Sequence, residues 1–146
     1  MADVFLDAAY EEARIGLSEG GIPIGSVLVL NGSIVGRGHN RRVQRESAIL
    51  HGEMDALESA GRLTAAQYRE STIYTTLSPC DMCAGAILLY GIPKVVVAEN
   101  STFMGAEDLL RSRGVEVVVV DDQRCIDLMI DFIATSPELW NEDIGV

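Results

Sequence analysis

The sequence predicts a three-layer α/β/α sandwich around a mixed sheet of about five strands. Three observations predict it. Helix-compatible and β-rich runs alternate along the chain, Asn31-Gly32 joins the first two β-rich runs, and the later runs "KVVVAE" and "VEVVVV" are apolar without alternation. Asn-Gly between β-rich runs is the strongest short signal for a hairpin, so the first pair is antiparallel. Continuous apolar strands suit the middle of a sheet that is covered on both faces.

Each element follows in turn. Residues Asp3 to Ser18 carry Val4, Leu6, Ala8, Ala9, Ala13 and Leu17 at helix-compatible positions, and Gly20-Gly21 stops them. "GSVLVLNGSIVGRG" is the hairpin. A second helix runs from about His51 to Ala60 and ends at Gly61. "STIYTTL" reads as a strand and "CDMCAGAILLYG" as a helix, with Ser78 suited to its N-cap and Pro79 to its first position. A helix near Ala106–Arg113 separates "KVVVAE" from "VEVVVV", which predicts that these strands run parallel. "DQRCIDLMIDFIAT" is a further helix, and "SPELWNEDIGV" a short final segment.

Composition bounds the function classes. A chain of 146 residues, 48% hydrophobic, fits one domain over 1–146, and a chain of that length buries roughly 68–70% of its unfolded surface. No early apolar run follows a basic segment, and the longest apolar runs, Val117–Val120 and Ala84–Tyr90, fall far short of the ~20 residues of a membrane span. The expectation is a soluble, cytoplasmic protein with reduced thiols, whose three cysteines cannot all pair within the chain. With 11 Lys+Arg against 22 Asp+Glu, the net charge is −11. A phosphate polymer is repelled by such a surface, so a nucleic-acid partner is not expected. The basic cluster Arg37, Arg41, Arg42 and Arg45 is the exception and reads as a solvated loop.

The chemistry concentrates in two short motifs. His51 opens "HGE" at the head of the second predicted helix, and Cys80 and Cys83 open "PCDMC" at the head of the third. Alone, the C-x-x-C is ambiguous between a redox pair, half of a metal site and two buried thiols. His51 supplies a third ligand. One imidazole and two thiolates leave the fourth position of a tetrahedral zinc to water, the pattern of a catalytic site, and the metal lowers that water's pKa towards ~7. Glu53, two residues beyond His51, is placed to carry protons. His39 and Cys125 read as structural, the latter a buried free thiol.

H-x-E followed by P-C-x-x-C is the signature of the zinc-dependent deaminases. Together with "GGIPIG", "GRGHN", "LHGEMDALESAGRL", "TTLSPCDMCAGAILLYGIPKVVV" and "WNEDIG", it resembles the yeast-type (fungal) cytosine deaminases, within the cytidine-deaminase superfamily, from about Asp7 to Gly145. The resemblance implies a cytidine-deaminase-like fold and a homodimer that hydrolyses cytosine to uracil and ammonia in pyrimidine salvage, with one Zn²⁺ per subunit. His51, Cys80 and Cys83 would bind the zinc and Glu53 would shuttle protons. Asn40, the Gly52 backbone N–H and Asp143 would meet the substrate's polar edge, and Ile24, Leu77, Phe103 and Trp140 would line and cover the pocket. The implied mechanism is attack of zinc-bound hydroxide at C4 with Glu53 delivering protons to N3 and then to the leaving amino group.

Rival readings remain at this level. A deaminase of guanine or of a nucleoside such as cytidine shares the zinc core. So does a tRNA-adenosine deaminase, which wants a basic face that −11 does not suggest. A non-catalytic zinc-binding module has no need of Glu53 or an open coordination position.

Overall fold

The computed structural model describes residues 3–146. Helix α1 (Val4–Ser18) starts at Asp3, whose side chain accepts the Phe5 and Leu6 N–H groups, satisfying two donors that a helix start leaves unpaired. Strands β1 (Gly25–Leu30) and β2 (Ser33–His39) form the hairpin. Asn31 and Gly32 take φ of 52° and 76°, the two positive values that a type I′ turn demands. Next come α2 (Gly52–Ala60), α3 (Ala65–Arg69), β3 (Ser71–Thr75), α4 (Asp81–Tyr90) and β4 (Lys94–Val97). The order ends with α5 (Glu107–Ser112), β5 (Glu116–Val119), α6 (Gln123–Thr135) and α7 (Pro137–Asp143).

The five strands lie in the order β2-β1-β3-β4-β5. β1 is antiparallel to both β2 and β3, while β3, β4 and β5 are parallel, as the intervening helices require. The register aligns Leu28, Ile73, Val95 and Val117 across four strands. That row packs with Ala84 and Ile87 of α4, Leu57 of α2, Tyr68 of α3 and Leu110 of α5. On the opposite face Leu6 of α1 and Cys125 of α6 pack with Tyr74 and Ala98. The result is the mixed-sheet three-layer sandwich.

Two glycines set the spacing between β2 and α2. A Cβ at Gly36 would overlap the Ala56 carbonyl and Ala60, and one at Gly38 would overlap the Asp55 carboxylate and the Ala56 N–H. Without those side chains α2 lies directly on the strand, and its N-terminal turn falls beside the strand's end.

The structure corrects the sequence reading at four places. Ser78 and Pro79 do not begin α4: Cys80 is the N-cap, and Ser78 instead donates to the Glu107 carboxylate at 2.6 Å. Although "VEVVVV" is apolar apart from Glu116, β5 is an edge strand whose residues are exposed or only partly covered. The basic loop is not simply solvated, since Arg37 pairs with Glu12 and Arg41 with Asp55, both at 2.8 Å. The short α3 was not predicted; Thr64 and Gln67 start it with a reciprocal capping box.

Candidate active site

One end of the sheet collects every chemically distinctive residue. The start of β1 pairs with the end of β2 (Gly25 with His39) and with the end of β3 (Ser26 with Thr75), while Thr75 pairs with Val97 at the end of β4. The loops leaving β2, β3 and β4 therefore open on the same side. So does the segment entering β1, which carries Ile24. Helices α2 and α4 start there too, and α7 closes over them with Trp140 and Asp143.

His51 and Cys80 are the N-caps of α2 and α4, both in extended backbone geometry, and neither spends its side chain on capping. Both side chains are thus free to face each other beneath two positive helix ends. The His51 Nδ1 lies 3.4 Å from Cys80 Sγ and 3.8 Å from Cys83 Sγ. A tetrahedral ion with Zn–N of about 2.05 Å and Zn–S of about 2.3 Å would separate N from S by about 3.5 Å. These three residues form a group whose ligand atoms all lie within 4.8 Å of one another. The outward His51 Nε2 lies 3.4 Å from Asp143 Oδ1, the carboxylate partner that commonly orients a metal-binding imidazole.

The protons on this triad also fit a cation. The hydrogen bond from Cys83 pulls the Cys80 thiol down to about 4 against its burial, with His51 pulling the same way. Cys83, which shares that proton and is buried, moves well above its ordinary value. Burial pulls His51 down, yet the Cys80 hydrogen bond and the Asp143 and Glu53 charges outweigh it and lift the ring to about 9. The three side chains thus compete for protons in one small buried space. A divalent cation would take the place of those protons, since cysteine and histidine ligate metals in their deprotonated forms.

Glu53 sits in the first turn of α2 and is 4% exposed. Burial drives its pKa up to about 7, opposed chiefly by His51. A carboxyl group that titrates near neutrality can both take and give a proton under ordinary conditions. Asp143 is also raised by burial, with His51 and then the Asn40 hydrogen bond opposing the shift.

A small pocket of about 20 Å³ opens at this place, lined by Ile24, His51, Glu53, Leu77, Cys80, Phe103, Trp140 and Asp143, together with Ser78 and Ile144. Phe103 and Trp140 meet edge to face at 5.7 Å and 87°, a favoured aromatic geometry. Eight of the eleven residues singled out from the sequence line the wall. Asn40, Gly52 and Cys83 lie immediately behind it. Asn40 is fully buried, its Oδ1 accepts the Arg42 N–H at 3.0 Å, and its Nδ2 donates to Asp143 at 2.8 Å. A Cβ on Gly52 would come within 3.0 Å of the Ile24 carbonyl oxygen, so the crowding there is against β1's lead-in.

Ser78, Ile144 and Arg42 escaped the sequence reading as parts of the site. Arg42 stands at the mouth, 3.5 Å from Glu142 and 3.9 Å from Asp143. Ser78 also accepts the Gly105 N–H at 2.9 Å, which ties the cysteine loop to the segment carrying Phe103. Neither tie has a sequence signal, because each joins residues far apart in the chain.

Comparison with known proteins places this arrangement. Residues 2–99 match the family described as the cytidine and deoxycytidylate deaminase zinc-binding region. The chain belongs to that family. Over 141 residues this deaminase is 58% identical to the cytosine deaminase of Candida albicans, covering 96% of this chain and 94% of that one. It is 42% identical over 107 residues to the tRNA-specific adenosine deaminase of Streptococcus pyogenes serotype M18, covering 72% of this chain and 67% of that one. In structure it resembles the guanine deaminase of Nitrosomonas europaea with a TM-score of 0.73 at 21% identity, covering 92% and 86% of the two chains. That last likeness speaks to the fold alone. The cofactor of this deaminase is zinc, and His51, Cys80 and Cys83 are the residues that fit it.

Proposed function

We propose that this deaminase hydrolyses free cytosine to uracil and ammonia, with its whole activity carried by one domain. The observation that carries the substrate is the 58% identity to a cytosine deaminase across 96% of the chain. The pocket supports it, with the Phe103 and Trp140 rings and the Asp143 carboxylate all in its lining. The cover that α7 lays over this pocket, with Trp140 and Asp143 in its wall, is read here as selecting a free base over one that carries a ribose.

The chain's own residues divide the work. His51, Cys80 and Cys83 hold the zinc, which when bound lowers the pKa of its water towards ~7. Glu53 takes a proton from the attacking water and delivers it to N3 of the ring. It then carries the remaining proton of that water, now on the C4 hydroxyl, to the amino group; the C4–N bond breaks, ammonia leaves, and the C4 carbonyl forms. A pKa of about 7 suits both directions of that traffic. Asn40 and Asp143 orient the polar edge of the base, Asp143 nearest the departing amino group. Phe103, Trp140 and Ile144 keep bulk water out, alongside the apolar walls Ile24 and Leu77.

We further infer a cytoplasmic homodimer serving pyrimidine salvage, without nucleic-acid or membrane partners. None of the described helices is long and apolar enough to cross a membrane. Beyond Asp81, helix α4 carries only apolar residues and Tyr90, yet Leu89 is 75% exposed and Tyr90 43%. A groove of mixed character, lined by Met54, Leu57, Ala86 and Tyr90 together with Glu58 and Arg62, runs beside it. A second copy docking there is the arrangement that sedimentation would test.

Glu53→Gln should keep its zinc and lose at least 10²–10⁴-fold in kcat, the range for removing a general acid–base group. Absorbance assays of cytosine conversion, with zinc content measured in parallel, check it. Near-normal turnover by the zinc-loaded variant would remove Glu53 from the mechanism. A panel including guanine, adenine and cytidine checks the substrate, and preference for any of them over cytosine would overturn that part.

A further inference from the structure

Asp55 has no place in the mechanism above, yet it holds both neighbours of Asn40. Its Oδ2 accepts the backbone N–H of His39 at 3.0 Å and the Arg41 Nε at 2.8 Å. Asn40 lies between them, its own N–H donating to the Ile24 carbonyl at 2.9 Å. From there the Asn40 Nδ2 reaches Asp143, which faces the pocket.

We infer that Asp55, with Arg41, is a positioning residue that fixes the substrate-recognition edge by clamping Asn40 against Asp143. This rests on the reading of Asn40 and Asp143 as the polar edge that meets the base. Three observations converge on it. One carboxylate oxygen serves residues 39 and 41 together, so a shift of Asp55 moves both flanks of Asn40 at once. The absent side chain at Gly38 is what lets the carboxylate reach the strand, since a Cβ there would occupy its place. Asp55 is also two residues beyond Glu53 on the same helix, with its N–H on the His51 carbonyl at 2.9 Å. One helical turn thereby carries the metal ligand, the proton carrier and the clamp. Their relative positions are set by a single rigid element.

A clamp that acts through Asn40 makes a different prediction from a residue that merely supports the fold. Losing it should loosen substrate binding and leave the metal in place. The test measures KM, kcat and zinc content for the zinc-loaded enzyme and for Asp55→Ala, Asp55→Asn, Arg41→Met, Asn40→Ala and the Asp55→Ala/Asn40→Ala pair. Asp55→Ala should raise KM about tenfold, the size of one hydrogen bond to a charged group, with full zinc and a smaller change in kcat. Asp55→Asn keeps an acceptor oxygen and should recover most of the loss. Arg41→Met alters a half-buried side chain and should give a smaller rise in the same direction; it reads the clamp even where Asp55→Ala folds poorly. The pair should show no KM increase beyond that of Asn40→Ala alone.

The outcomes separate the two ideas. Additive KM effects in the pair, or unchanged KM in both Asp55→Asn and Arg41→Met with Asp55→Ala losing zinc, would overturn the clamp. An unchanged KM in Asn40→Ala would instead overturn the reading of Asn40 as part of the recognition edge. Should Asn40→Ala raise KM while the Asp55 and Arg41 variants leave it alone, the edge stands and the clamp does not.

Discussion

His39 and His51 are both buried, at 2% and 9% exposure, and both face acidic groups, yet their surroundings prepare them for opposite tasks. The His39 ring bonds Glu12 through Nδ1 at 2.9 Å and Glu19 through Nε2 at 2.7 Å. Both ring nitrogens are filled by carboxylates of α1 and its C-terminal cap, and Glu12 also holds Arg37. That imidazole has no capacity left and serves as a rivet between α1 and β2. His51 presents Nδ1 to two sulfur atoms and only Nε2 to a carboxylate. Burial alone does not tell a ligand from a rivet. The identity and number of partners on each ring nitrogen does.

The sharpest way to break this comparison is to delete each ring. His51→Ala removes one of three ligands, so zinc content should fall to background and cytosine conversion with it, measured by metal analysis and absorbance. Full zinc occupancy in that variant would mean the triad is wrongly assigned. His39→Ala should keep its zinc but lose about 3 kcal/mol of stability, the order seen when one partner of a buried ion pair is removed. Urea denaturation reads the loss, and a stable variant depleted of zinc would reverse the roles given to the two histidines.

A smaller effect should appear in the pH dependence. Glu12 and Glu19 lift the His39 pKa above 6.5, the Glu12 hydrogen bond being the largest influence, against its burial. Its contribution is whole below 6.5 and is lost as pH climbs through the raised folded value. The His39 hydrogen bonds lower Glu12 and Glu19 from 4.5. Their contribution is whole above 4.5 and is lost as pH falls through the lowered folded values. The stability gap between wild type and His39→Ala should therefore be widest between 4.5 and 6.5. Denaturation midpoints taken across acid, neutral and alkaline buffers would show it, and a gap of constant width would exclude the ion-pair account.

Much of the fold was legible because its signals are local. Asn31-Gly32 dictates its turn through backbone angles alone, and the helix between two apolar runs forces them parallel. The zinc triad was legible because His51 and the two cysteines have few other uses in such a pattern. The misreadings share the opposite property. Ser78 has the composition of an N-cap, but Glu107, 29 residues on, takes its hydroxyl. The exposure of β5 follows from its place at the end of the strand order among the described residues, which its own residues do not encode. Arg41 reads as a solvated charge because its partner Asp55, 14 residues on, reaches it only where α2 lies on Gly36 and Gly38.

The hydrogen bond between Asn40 and Asp143 has a consequence for folding. It joins residues 103 apart, whereas the His51–Cys83 contact spans 32. Closing the longer loop costs about 1 kcal/mol more in chain entropy, and it waits for α7 to dock. The expected order of assembly is therefore a metal cradle first and a roof last. An intermediate would bind zinc while still rejecting the base, and stopped-flow refolding with a metal-sensitive probe and a separate ligand probe would resolve the two steps in time.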